Sequence, residues 1–142
     1  VSARKGDAAK AARGFTLVEL CAVLAVAGVL TTLAWPAWQG QLQQARRADG
    51  HQALLRVQAA QELYRSHHGL YATELTALQG AASGHSAQGH YRIELERLAA
   101  ETYRARAVAQ GPQVHDTACA ALTLDVHLGF VQQGPAAHCW HR

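Results

Sequence analysis

Between Phe15 and Trp38 the chain reads FTLVELCAVLAVAGVLTTLAWPAW, 24 residues with a single charge, Glu19. No other feature restricts the fold so strongly. As a helix rising about 1.5 Å per residue this segment extends roughly 36 Å, enough to cross a hydrocarbon core of about 30 Å. Trp35 and Trp38 at its far end suit a lipid-water interface, where amphipathic rings are enriched. A cleavable secretory signal shares the outline of a basic start and an apolar stretch. Its apolar core, however, runs only about 7 to 15 residues and tolerates a charge such as Glu19 poorly. The segment is therefore expected to span a membrane as a helix.

Charge gives that helix a direction. Arg4, Lys5, Lys10 and Arg13 against Asp7 leave residues 1–14 at 4 − 1 = +3, the whole formal charge of the chain. From Phe15 onward nine arginines face nine carboxylates. A basic flank orients the helix with its N-terminus in the cytoplasm. With 142 residues there is room for one modest domain beyond the span. Of the three cysteines, Cys21 lies in the apolar run, whereas Cys119 and Cys139 both lie in the polar C-terminal third, which makes them the natural pair. A disulfide there implies an oxidising compartment.

Past Trp38 the chain turns polar but stays helix-compatible to about residue 66, with Leu42, Ala45, Ala53, Val57, Ala60 and Tyr64 as a one-sided apolar stripe interrupted by Asp49. Gly50 weakens the middle of that helix by about 1 kcal/mol relative to Ala, which allows a bend or local loosening there. Gly69 reads as a helix stop. Residues 67–89 read as a surface connection with a short helical stretch near Thr73–Leu78. From His90 the period becomes two: Tyr91, Ile93 and Leu95 alternate with charged residues, then Tyr103, Ala105 and Ala107, then Leu122, Leu124 and Val126 with Leu128. Three short strands within 90–131 imply an antiparallel meander whose apolar face the amphipathic helix covers.

The run Arg13-Gly14-Phe15-Thr16-Leu17-Val18-Glu19 at the mouth of the apolar segment resembles the prepilin cleavage site of type IV pilins and type II secretion pseudopilins. The resemblance implies an α+β type IV pilin fold, with a long N-terminal helix, half transmembrane and half amphipathic, packed on a small antiparallel sheet. It divides the chain into a leader (1–14), a transmembrane and assembly helix (15–38), the amphipathic second half (39–66) and a periplasmic globular domain (67–142). Prepilin peptidase would cut after Gly14, and Phe15 would become an N-methylated N-terminus. Glu19 would attract the Phe15 amine of a neighbouring subunit, and Gly28 and Pro36 would loosen the helix for filament packing. GLYAT at 69–73 and GPQVHDTACAALTLD from 111, followed by Cys139 and Trp140, are similar to pilin domains whose disulfide encloses the C-terminal region, here 119–139. Such a bridge stabilises by roughly 3 kcal/mol in the loop-entropy model.

The partners implied are other pilin subunits, the peptidase, an inner-membrane assembly platform and the inner membrane, with the assembled form extracellular. Major and minor subunits are not distinguished at this level. A type II secretion pseudopilin and a bitopic periplasmic binding module stay open as alternatives. No catalytic residue and no cofactor is expected: the chain carries no nucleophile-base arrangement, P-loop or dinucleotide fingerprint. Nine histidines raise a metal, but only His67-His68 and His138 with His141 are close in sequence, and no ligand spacing completes a site. Some pilins bind DNA, and Arg46, Arg47, Arg56, Arg92, Arg97, Arg104 and Arg106 offer phosphate contacts. The balanced charge after Phe15 does not support a dedicated basic patch.

Overall fold

The computed structural model describes residues 16–80 and 84–141, with backbone alone at residues 33, 36 and 37. Helix α1 runs Leu17–His68, 52 residues without a break. Its last turn carries Arg65, His67 and His68, cations that suit the negative end of a helix dipole. Gly69 then adopts φ +75° while its N–H reaches the Arg65 carbonyl at 2.8 Å, a left-handed helix stop. The chain divides into two compact units, one ending at Trp38 and one running from Gln39 to the C-terminus.

In the second unit four strands form one antiparallel sheet in the order β1 (Tyr91–Ala99), β2 (Thr102–Ala109), β3 (Ala121–His127), β4 (Phe130–Gly134). The pairing Tyr91 with Ala109, Ile93 with Ala107 and Leu95 with Ala105 continues through Ala107 with Leu122 and Ala105 with Leu124. One side of the sheet thereby collects Tyr91, Ile93, Tyr103, Leu122, Leu124 and Val126, all buried. The covering element is α1, which buries Ala53, Leu54 and Val57 in the same core. The fold is α+β, a long helix with a small antiparallel sheet, as the resemblance implies.

Several details differ from the expectations. A fourth strand exists, β4, whose residues are mostly exposed. The short helical stretch near Thr73–Leu78 is a single 3₁₀ turn at Leu75–Ala77. Helix α1 runs through Gly50 without interruption; the residue is buried, and a Cβ added there would lie 3.0 Å from both Leu122 Cδ1 and Tyr91 Cδ2. Glycine at this position permits close approach of helix to sheet. The apolar stripe also starts later than Leu42 and Ala45, which are exposed. Asp49, read as an interruption, is itself buried: its carboxylate accepts from the Ser86 hydroxyl and from the N–H groups of Gln88 at 3.1 Å and His90 at 3.3 Å. A buried carboxylate with such donors is satisfied, and it ties the loop before β1 to the helix. Gln61 acts similarly at the other end, exchanging bonds of 2.8 and 3.1 Å with the backbone of Ala72.

Candidate assembly site and the C-terminal strap

At the start of α1 the Thr16 hydroxyl accepts the Glu19 N–H at 3.2 Å, while Glu19 Oε2 accepts the Thr16 N–H and hydroxyl, each at 3.0 Å. This is a reciprocal capping box, two helix-end donors satisfied by a Thr and a Glu three positions apart. Sequence reasoning singled out Glu19 and passed over Thr16, although the T-x-x-E spacing before an apolar run signals this arrangement. Gly14 and Phe15 lie outside the described residues. Gly28 has no heavy atom within 4 Å of an added Cβ, and the helix continues through both Gly28 and Pro36. Leu17, Val18, Leu20, Val23, Leu24, Val26, Val29 and Leu30 all expose more than half of their surface. Among the described residues, which omit Phe15 and the side chains at 33, 36 and 37, no helix is long and apolar enough to cross a membrane.

The second unit carries its polar chemistry where the C-terminal segment crosses α1. Cys119 and Cys139 form a disulfide, and Cys21 is free and exposed. The bridge holds the segment from Ala137 to His141 against the helix as a strap. Arg47 donates twice to Asp116, from Nε at 2.7 Å and Nη2 at 2.8 Å, and once to the His138 carbonyl at 3.2 Å. The paired carboxylate raises the Arg47 pKa further still. Gln113, fully buried, donates to Asp116, to the Tyr91 hydroxyl at 3.0 Å and to the Gln43 carbonyl at 3.2 Å. The His51 ring meets the Cys139 carbonyl at 2.9 Å and stacks on Trp140 with centroids 4.6 Å apart. Burial, then the charges of Arg47 and His141, push the His51 pKa down, against that carbonyl bond, which favours the imidazolium. The ring is therefore held neutral, with its N–H on the carbonyl. Beside the strap lies a cavity of about 390 Å³.

Among the described residues most arginines are committed to carboxylates: Arg47 to Asp116, Arg65 to Glu62 and Glu101, Arg92 and Arg106 to Glu94, and Arg104 to Asp125. Among the described residues Arg46, Arg56 and Arg97 have no such pair. Metal-type side chains gather among the described residues at Cys119, His138 and Cys139, with both sulfurs consumed by the disulfide.

Residues 36–123, more than half of the chain, match the family described as type IV minor pilin ComP, DNA uptake sequence receptor. Over 80 residues the chain is 34% identical to the type II secretion system core protein G of Klebsiella pneumoniae, covering 56% of this chain and 57% of that protein. Over 84 residues it is 32% identical to the type IV major pilin protein PilE of Neisseria gonorrhoeae, covering 59% of this chain and 50% of that protein. The chain thus spans about half the length of the curated relatives it matches.

Proposed function

We infer the function from one premise: the chain belongs to the family of the type IV minor pilin ComP. It is a structural subunit of a type IV pilus, held by its apolar helix in the inner membrane and then transferred into the filament. The observation that carries this reading is the start of α1, where a carboxylate sits in the first turn of a helix whose large apolar side chains from Leu17 to Leu30 are exposed. Apolar surface of that extent requires lipid or neighbouring helices to cover it. In this reading the peptidase cuts after Gly14, Phe15 is methylated, and Glu19 exchanges its Thr16 donors for the Phe15 amine of an adjacent subunit. A place in a secretion machine is the competing reading, and the disulfide-closed strap favours the pilus. The test is an intact mass of the chain recovered from sheared pili. Loss of residues 1–14 with one added methyl group is expected; an unprocessed chain, or its absence from sheared pili, overturns the reading.

A receptor role toward DNA is the second reading, favoured by the description of the family. Among the described residues Arg46, Arg56 and Arg97 face no carboxylate, with Arg97 donating to the Tyr71 carbonyl at 3.0 Å and Arg56 Nη2 buried. Binding that uses them weakens with salt in proportion to the phosphates neutralised. Retention of duplex DNA by the full chain, measured across a salt series and repeated with Arg46→Gln and Arg97→Gln, should show a shallower salt slope in each variant. Identical slopes would remove these residues from the reading.

A further inference from the structure

The strap brings two cysteines and a histidine to one point. A donor atom from each of Cys119, His138 and Cys139, two sulfurs and an imidazole nitrogen, lie within 4.8 Å of one another. Tetrahedral zinc, with bonds of about 2.3 Å to sulfur and about 2.0–2.1 Å to nitrogen, sets its donors roughly 3.5–3.8 Å apart, a spacing close to theirs. In the oxidised chain the sulfurs are spent on each other. Reduction returns both as ligands, provided that the strap stays where it is.

Its attachment does not depend on the bridge alone. The His138 carbonyl accepts Arg47 Nη1 at 3.2 Å, the Cys139 carbonyl meets the His51 ring at 2.9 Å, and the Trp140 indole N–H donates to the Gly134 carbonyl at 2.8 Å. On the other side of the bridge Arg47 also grips the Asp116 carboxylate, and the Asp116 carbonyl accepts the Cys119 N–H at 3.0 Å. One guanidinium thus brackets both cysteines, holding the backbone beside each through bonds that reduction leaves in place. Both cysteines are buried, whereas His138 is exposed. The imidazole therefore stands on the side from which an ion enters.

We propose that the reduced strap is a zinc site, held by Cys119 Sγ, Cys139 Sγ and the His138 imidazole with water in the fourth position, so that ion and bridge are alternative closures of one strap. Thiolates and imidazole select such an ion over the hard cations, which prefer oxygen. The exchange balances with a dithiol as the reductant. The dithiol passes two electrons and two protons to the bridge and becomes a disulfide; Cys119 and Cys139 become thiols, and zinc displaces their two protons on binding. In reverse, an incoming disulfide takes two electrons from the thiolates and two protons from water, the Cys119–Cys139 bond forms again, and zinc leaves in the oxidation state in which it came. The site lies within the second unit and needs no neighbouring copy, so it is independent of the pilus reading.

The test reduces the full chain with a phosphine, with Cys21→Ser removing the third thiol, and titrates it without oxygen, first with Co²⁺ and then with Zn²⁺. Cobalt should give a sulfur-to-metal charge-transfer band and the visible bands of a tetrahedral site, saturating at one ion per chain and bleached by an equal amount of zinc. The oxidised chain should show neither band. Oxidised glutathione added to the zinc form should release one zinc ion for each bridge formed, read with a chromogenic indicator. His138→Ala should weaken zinc binding by at least about 10-fold, the smallest loss that removing even a group bonded to a ligand brings. His138→Cys, which supplies a third thiolate, should restore it. Absence of the charge-transfer band, saturation at any other ratio, equal affinity in His138→Ala, or no recovery in His138→Cys overturns the proposal.

Discussion

Gly50 illustrates how one residue has different meanings in sequence and in structure. Propensity alone marks it as a weak point in a helix, whereas the close approach of Tyr91 and Leu122 makes it a spacer between helix and sheet. The two accounts predict opposite signs for Gly50→Ala. Helix propensity alone would gain about 1 kcal/mol. Overpacking typically costs about 1–3 kcal/mol, and here the added methyl meets a leucine methyl at 3.0 Å and two ring carbons at 3.0 and 3.1 Å, so net destabilisation is expected. A thermal melt decides between them. His51 gives a pH-dependent counterpart. Its folded pKa is depressed, so an unfolded chain takes up the proton near pH 6.5 while the folded chain does so only at lower pH. Between those values the unfolded state binds more protons; the His51 contribution is full above about pH 6.5 and is lost as pH falls through the folded pKa. Arg47 and His141 face the same ring and add to the effect. The melting temperature should therefore fall more on acidification in the native chain than in His51→Gln, and parallel profiles would remove His51 from the pH response.

Elements were legible where one face is buried and the other is wet. Strand β2 shows this directly, because Tyr103, Ala105 and Ala107 are buried and alternate with less buried neighbours, and β3 repeats it with Leu122, Leu124 and Val126. Strand β4 was missed for the converse reason: FVQQG lies at the sheet edge with both faces mostly exposed, so burial imposed no period on it. The helix stripe was displaced at its start because hydropathy counts Leu42 and Ala45 as core, yet discounts Asp49 and Gln61, whose burial depends on partners far along the chain. The pairing of Cys119 with Cys139 was readable by segregation; the Arg47–Asp116 pair that locks the same strap, 69 positions apart, was not. Removing either tie should have a distinct cost. Arg47→Met leaves the Asp116 carboxylate, 4% exposed, without its cation, and breaking a buried pair in this way costs about 3–5 kcal/mol. Asp116→Asn added to Arg47→Met should recover part of that loss in chemical denaturation, since no charge is left stranded. Cys139→Ser should cost about 2–5 kcal/mol under oxidising conditions, and nothing extra in excess reductant. Cys21→Ser, at an exposed free thiol, should leave the denaturation midpoint unchanged.

At the scale of the whole molecule, two demands converge on the first turn of α1. Glu19 is the helix cap partner of Thr16 in the single chain and, in the pilus reading, the attachment point for a neighbour's amine. A carboxylate in lipid costs on the order of a few kcal/mol, so Glu19→Val should insert and be processed as well as the native chain. It should nevertheless fail to enter the filament, because the amine of the adjacent subunit is left unpaired in a poorly solvated setting. The same substitution also removes the capping box, worth about 0.5–2 kcal/mol at most helix starts, and that loss alone could be mistaken for an assembly defect. Thr16→Ala separates the two, since it deletes the capping hydroxyl while keeping the carboxylate. Recovery in sheared pili, scored beside the membrane level of processed subunit, should be near the native level for Thr16→Ala and strongly reduced for Glu19→Val. Equal loss in both variants would assign Glu19 to helix capping alone, and native recovery of Glu19→Val would remove the intersubunit contact from the assembly mechanism.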